Sequence, residues 1–237
     1  KTICRYENGA VQDKAHNSLL LFFKNPENMK TYLMENEVVI DERQKARLWE
    51  YIAKLEQNKG KSVKDNFFDL YFSTTPCEEN GYKGFDYEKL CAMVLFFAQK
   101  SSELLKTKLM KLLNYSDMLF YKENGVSMSG LKYAHLPYGP VPEHFDILFG
   151  KMSADHIAHI EVMYDNGYEK HQVISDCDMP KDILSDKEIQ VLERIYVKFK
   201  DYGSVDISNY SHKEKGYKST RPGEIISYAY AKDLQLN

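Results

Sequence analysis

The chain has 237 residues, enough for one large domain or for a moderate domain with a smaller module, and its 43% hydrophobic content excludes wholesale disorder. Its four cysteines, Cys4, Cys77, Cys91 and Cys177, form no Cys-x-x-Cys pair, so neither a zinc or redox motif nor a disulfide framework is indicated. The net charge of −3 divides unevenly: residues 1–64 hold twelve Lys+Arg against nine Asp+Glu and the remainder twenty against twenty-six, a split that fits a nucleic-acid-facing front joined to a protein-facing body.

In chain order, Lys1 to Glu7 reads as the last part of a helix ended by Asn8-Gly9, so the sequence is taken to begin inside a longer element. Asn25-Pro26 opens a further helix, and Asp41 another with Leu48, Ile52 and Leu55 on one face. Residues 59–85 are rich in Lys, Asn, Gly, Ser, Thr and Pro, lose the helical period and read as a connector. Asp86 caps a helix with the stripe Tyr87, Leu90, Cys91, Val94, Leu95 and Ala98. A second helix runs from about Glu103 to Glu123, stopped by Asn124-Gly125.

A short strand is expected over Leu131–His135, broken by Pro137 and Pro140, with a helix from Pro142 to Gly150. Residues 157–175 alternate weakly and predict one or two strands. Ser185-x-x-Glu188 is a capping box opening a helix with Ile189, Leu192, Ile195, Tyr196 and Phe199 on one side. Gly203 stops it, Ser204 caps a further short helix, and Pro222 falls in the first turn of the last. The fold class read from this is mainly α with a small β element (α+β). No apolar run is long enough to span a membrane and no signal peptide opens the chain, which predicts a cytoplasmic protein without membrane contact.

The stretch Lys111–Phe149 carries Tyr115, Ser116, Asp117 and Tyr121 on one helix, then Gly130 and Tyr133, then the turn Pro137-Tyr138-Gly139-Pro140-x-Pro142. Ser211-His212-x-Glu214 and Tyr228-x-Tyr230-Ala231 follow. Together these resemble the Panacea family of SocA-like, phage-associated antitoxin domains, over about Phe85–Leu234. The front, Thr2-Ile3-x-Arg5-Tyr6-Glu7-Asn8-Gly9, resembles the end of the recognition helix of Cro/repressor-type helix-turn-helix proteins, with Lys1, Thr2 and Arg5 at positions that can touch DNA.

The resemblance implies a truncated helix-turn-helix remnant and following helices over 1–60, a connector over 61–84 and a Panacea domain over 85–237. It implies an antitoxin, not an enzyme, that neutralises a cognate toxin by direct contact, with operon autorepression and operator DNA binding by the full-length protein only. A homodimer is left open, and neither cofactor nor metal is implied. A regulator without a toxin, and an adaptor that delivers a toxin to a protease, are the alternatives.

The Pro137–Pro142 turn can be a partner contact, but a motif shared among proteins with different partners is first expected to serve the fold. Tyr115, Tyr121 and Tyr133 read as core tyrosines with satisfied hydroxyls. His212 and Glu214, two apart on a helix, do not share a face, so a cap or a hydrogen bond to the Tyr115/Asp117 turn is preferred over acid–base catalysis. His156-x-x-His159 has a metal-compatible spacing but reads as loop and strand. Asp176, Asp178, Asp182, Asp186 and Glu188 form an acidic edge that a basic toxin can meet. No glycine-rich phosphate loop or nucleophile elbow is present.

Overall fold

A computed structural model describes residues 75–165 and 167–236, together with 45–47, 49, 50, 52 and 72. The chain divides into two compact units, Lys1–Leu70 and Tyr71–Asn237. In the first, the described residues 45–47, 49, 50 and 52 are helical, and Ile52 is buried. Lys1, Thr2 and Arg5, with the whole helix-turn-helix resemblance, lie outside the described residues.

The second unit is mainly helical with two small antiparallel sheets. Helix α1 spans Tyr87–Lys100, and Asp86 caps it by accepting from the Lys89 N–H at 3.1 Å. Helix α2, Lys106–Asn124, is the central element: every residue from Lys108 to Phe120 is buried. It begins later than the predicted Glu103 because the backbone there is engaged elsewhere. The Leu104 carbonyl accepts from the Val173 N–H at 2.8 Å, and Leu105 bridges Gln172. Gly125, at φ 77°, ends the helix by donating to the Tyr121 carbonyl.

Strands β1, Tyr133–Leu136, and β2, Gly139–Pro142, pair antiparallel across a turn at Pro137–Tyr138. This corrects the sequence reading, which took the prolines as a break and placed a helix at Pro142. Pro140 faces His135 and Pro142 faces Tyr133. Both β1 residues turn their backbone away from β2. His135 donates to the Glu224 carbonyl and accepts from the Gly223 N–H, and Tyr133 accepts from the Ile226 N–H. Pro140 and Pro142 therefore occupy the non-hydrogen-bonded pairs of the ladder, where a missing N–H costs nothing. Proline at 137 fixes φ and suits a type I turn, and Gly139, at φ 103°, returns the chain to register.

Helix α3, Phe145–Ala154, starts after His144 at φ 53°. Strands β3, Ala158–Asp165, and β4, Tyr168–Ser175, form a hairpin whose connection carries Gly167 at φ 82°. Helix α4, Asp186–Phe199, opens on the predicted capping box: the Ser185 N–H donates to Glu188 Oε2 at 2.8 Å, and the Glu188 N–H returns to Ser185 Oγ. Val191, Leu192, Ile195 and Phe199 are buried, and α4 packs on α2.

Gly203 is the N-cap residue of α5, Ser204–Ser211, not the stop of α4, so Ser204 lies inside the helix. The short α6, Lys215–Ser219, follows. Pro222 lies in a turn rather than a helix, and a 3-10 segment, Tyr228–Asp233, comes last. Among the described residues no helix is long and apolar enough to cross a membrane.

Candidate functional site

Two buried polar centres lie on α2, and between them they take in most of the residues singled out in the sequence. The first is built on Asp117, whose side chain has no exposed surface. Its Oδ1 accepts from the backbone N–H groups of Met128 and Ser129 at 2.8 Å each, and its Oδ2 from the Tyr133 hydroxyl at 2.6 Å and the Ser129 hydroxyl. Burial pushes the carboxyl pKa up, and these four donors pull against it without reversing it. Asp117 thereby pins the loop between α2 and β1 onto the helix. Gly130 lets that loop cross close to residues 83 and 84: at its φ of 73° a Cβ would stand 2.5 Å from the Gly84 carbonyl oxygen. Tyr133 and Tyr228 are fully buried, and the Tyr228 hydroxyl donates to the Leu131 carbonyl at 2.9 Å.

Tyr115 is also fully buried, stacked 4.8 Å from Phe199, and its hydroxyl donates to Glu214 Oε1 at 3.3 Å. Glu214 Oε2 accepts from the Gln235 N–H at 3.3 Å. Burial raises the Glu214 pKa despite these donors. Tyr121 is the exception among the expected core tyrosines. It is part-exposed, lying between Tyr82, at 6.4 Å, and Tyr228, at 5.3 Å.

The second centre lies under the β1–β2 turn. Lys111 is buried with no exposed surface, and its Nζ has no hydrogen-bond partner among the described residues. Burial alone pushes its pKa down to about 8; no acidic side chain pulls it back. Gly139 sits directly on it. A Cβ there would meet Lys111 Cε at 2.8 Å and Ser211 Oγ at 2.4 Å.

His212 closes α5 and Glu214 precedes α6, so the two are not on one helix and their side chains part company. Glu214 turns inward to Tyr115. His212 instead stacks on Tyr217 at 4.6 Å, and Tyr217 lies 3.7 Å from His135 on its other contact. The Tyr217 hydroxyl donates to the Leu136 carbonyl at 2.8 Å, and His135 Nδ1 is 2.8 Å from the Thr220 carbonyl. His212 Nε2 is buried without a hydrogen-bond partner among the described residues. Its pKa is lowered by burial first, then by Lys111 and His135, against the Pro137 carbonyl. A cavity of about 30 Å³, room for a single water molecule, is lined by Asn114, Pro140, Ser211, Glu214 and Tyr217 among others.

The turn that this stack supports is exposed at its tip. Tyr138 is 74% exposed and Leu136 39%, and Pro137 is exposed beside them, whereas Gly139, Pro140 and Pro142 are buried. The motif is thus divided between fold and surface. Lys111, Tyr217 and Ser211's contact with Gly139 were not singled out in the sequence. The available signal for Lys111 was its place in the apolar run Leu109-Met110-Lys111-Leu112-Leu113.

The remaining candidates separate. His156 sits in a turn at φ 56°, while His159 lies on β3 and pairs with Asp176 at 2.7 Å. Among the described residues no three His, Cys, Asp or Glu side chains are placed to hold a metal. Asp176, Asp178, Asp182 and Asp186 are exposed, but Glu188 is buried in the α4 cap and bonded to Lys89, so it does not belong to the acidic edge.

No curated protein and no solved structure matches the chain. Residues 109–218, from the first turn of α2 through α6 and including both polar centres, match the model of the family described as antitoxin SocA-like, Panacea domain, so this stretch is similar to an antitoxin-type domain.

Proposed function

We propose that the chain is an antitoxin that neutralises a cognate toxin by stoichiometric protein–protein contact, and that the β1–β2 tip is part of the contact surface. The family match over residues 109–218 carries the reading. The exposure of Tyr138, with Leu136 and Pro137 beside it, on a turn whose Gly139, Pro140 and Pro142 are buried supports the choice of this tip. An aromatic side chain with two rotatable angles supplies contact area at low entropic cost, and this one is largely exposed.

The test is co-expression with the small protein encoded beside the gene. That protein should arrest growth alone, and this chain should restore growth and co-purify with it. A neighbour that is harmless, or one that stays lethal without co-purifying, sinks the antitoxin reading.

A further inference from the structure

The structure assigns to the β1–β2 tip the role of a receptor for a carboxylate-bearing loop of the partner protein, with Tyr138 as the aromatic contact and the uncompensated ammonium of Lys111 beneath Gly139 as the charge that selects it. The inference rests on the antitoxin reading and adds the chemistry of the partner's contact.

The argument begins with a charge that the fold does not answer. Lys111 is fully buried and unpartnered, and burial is the whole cause of its altered proton affinity. With a pKa of about 8, roughly nine-tenths of the side chain is still protonated at pH 7. A buried cation without a counter-ion destabilises its own fold. Its field is weakly screened in the protein interior and reaches the surface above it.

That surface is the turn. Gly139 packs on the Lys111 stem, and the residues leading to it, Leu136, Pro137 and Tyr138, are exposed. The surroundings add to the same sign. Lys218 and Arg221 are exposed on the segment that backs the turn. Glu224, the acid on that segment, is directed to its own loop, where it accepts from the Arg221 N–H at 3.2 Å. An aromatic tip over an unanswered positive charge is complementary to an acidic side chain beside an apolar one.

A protein loop fits this better than a nucleic acid. Phosphate backbones are held by several exposed cations along a track. Here the central cation is buried and single, and the body of the chain, residues 65–237, carries excess acid.

The test uses the whole chain and the partner from the co-expression experiment, with affinity measured by titration calorimetry. Lys111→Met keeps the buried stem and removes the charge. It should fold with a raised melting temperature and bind about tenfold more weakly, as should Tyr138→Ala. Converting the partner's exposed carboxylates to amides one at a time should find one that weakens binding to the wild type and leaves binding to Lys111→Met unchanged, the non-additivity of a coupled pair. If Lys111→Met binds as tightly as the wild type, or no carboxylate couples to it, the inference is overturned while the antitoxin reading stands. If the wild type does not bind, both fall. A DNA duplex or single-stranded RNA whose binding depends on Lys111 would overturn it in favour of a nucleic-acid partner.

Discussion

Asp117 and Lys111 ride on the same helix six residues apart, both buried, and the fold treats them in opposite ways. Around Asp117 every oxygen has donors: two backbone N–H groups and two hydroxyls converge on one carboxylate. Around Lys111 no polar group of the described residues converges, and the ammonium is left with packing alone. A satisfied buried charge ties chain segments together, and an unsatisfied one weakens the structure that holds it. Asp117 is therefore read as the fixed point of the domain. Lys111 and the turn above it are the region where the fold leaves a buried charge unanswered.

The comparison breaks most decisively at Asp117. Replacing it by alanine leaves the Met128 and Ser129 N–H groups and the Tyr133 hydroxyl buried without an acceptor. The expected loss is about 3–5 kcal/mol, read by urea denaturation. A loss below about 1 kcal/mol would show that the loop is held by something else.

Gly139→Ala comes next. A Cβ at a φ of 103° is strained wherever it stands, and here it would also run into Ser211 Oγ and Lys111 Cε. A destabilisation of about 2–3 kcal/mol is expected from strain and overpacking together, measured in the same way. If the turn tolerates alanine, the close approach of Gly139 to Lys111 is not a requirement of the fold.

Lys111→Met should move in the other direction. Removing the buried charge and keeping the apolar stem should stabilise the domain by about 1–2 kcal/mol at pH 7. The pH dependence carries a sign of its own. Lys111 loses its proton at about pH 8 in the folded protein, against its ordinary value of 10.5. Between these values the unfolded chain binds more protons, so the Lys111 contribution to stability rises with pH above about 8, and the methionine variant should lack that slope. On the acid side, His212 has a lowered pKa, so its stability contribution is present above about pH 6.5 and is lost as pH falls through the folded value. Because Lys111 is one cause of that lowering, the loss should be smaller in Lys111→Met. Thermal melts from pH 5 to 9.5 on both proteins check both limbs.

These two centres were unequally legible in the sequence. The helices announced themselves through local chemistry: Asp86 and Ser185 as caps, Gly125 as the stop, and apolar stripes between them. Asp117 was found through the motif it belongs to. The second strand was not found, because prolines read locally as breaks. Only pairing with β1 shows that Pro140 and Pro142 fall on the side of the ladder that needs no N–H. The Asn166-Gly167 pair was a usable hairpin signal for β3 and β4 that the weak alternation overshadowed. The late start of α2 depends on Leu104 and Leu105 being claimed by β4, nearly seventy residues away.

The burial of the Lys111 amine was harder to read, for a related reason, although its place in an apolar run was a signal. A lysine on an otherwise apolar helix usually sends its amine to solvent along a long stem. Here α2 is covered all round, by α4, α5, β2 and the last 3-10 segment, so no route out exists. Coverage of that kind is a property of the whole fold, at which the flanking apolar residues only hint.

The smallest effect on stability sharpens the comparison most. Tyr138 lies at the exposed end of the turn whose base is buried, and its side chain is largely in solvent. Tyr138→Ala should change stability by less than about 0.5 kcal/mol, the range of ordinary surface substitutions. The same variant should fail to restore growth in the co-expression experiment. Pro137 and Gly139 hold the turn in place without help from the ring, so a folded protein without function would assign Tyr138 to the partner and the rest of the motif to the fold. A clear drop in melting temperature would instead return Tyr138 to the structural role that the motif alone suggested, and the contact surface would then have to be sought elsewhere, beginning with the exposed Val162 and Tyr164 of the β3–β4 hairpin.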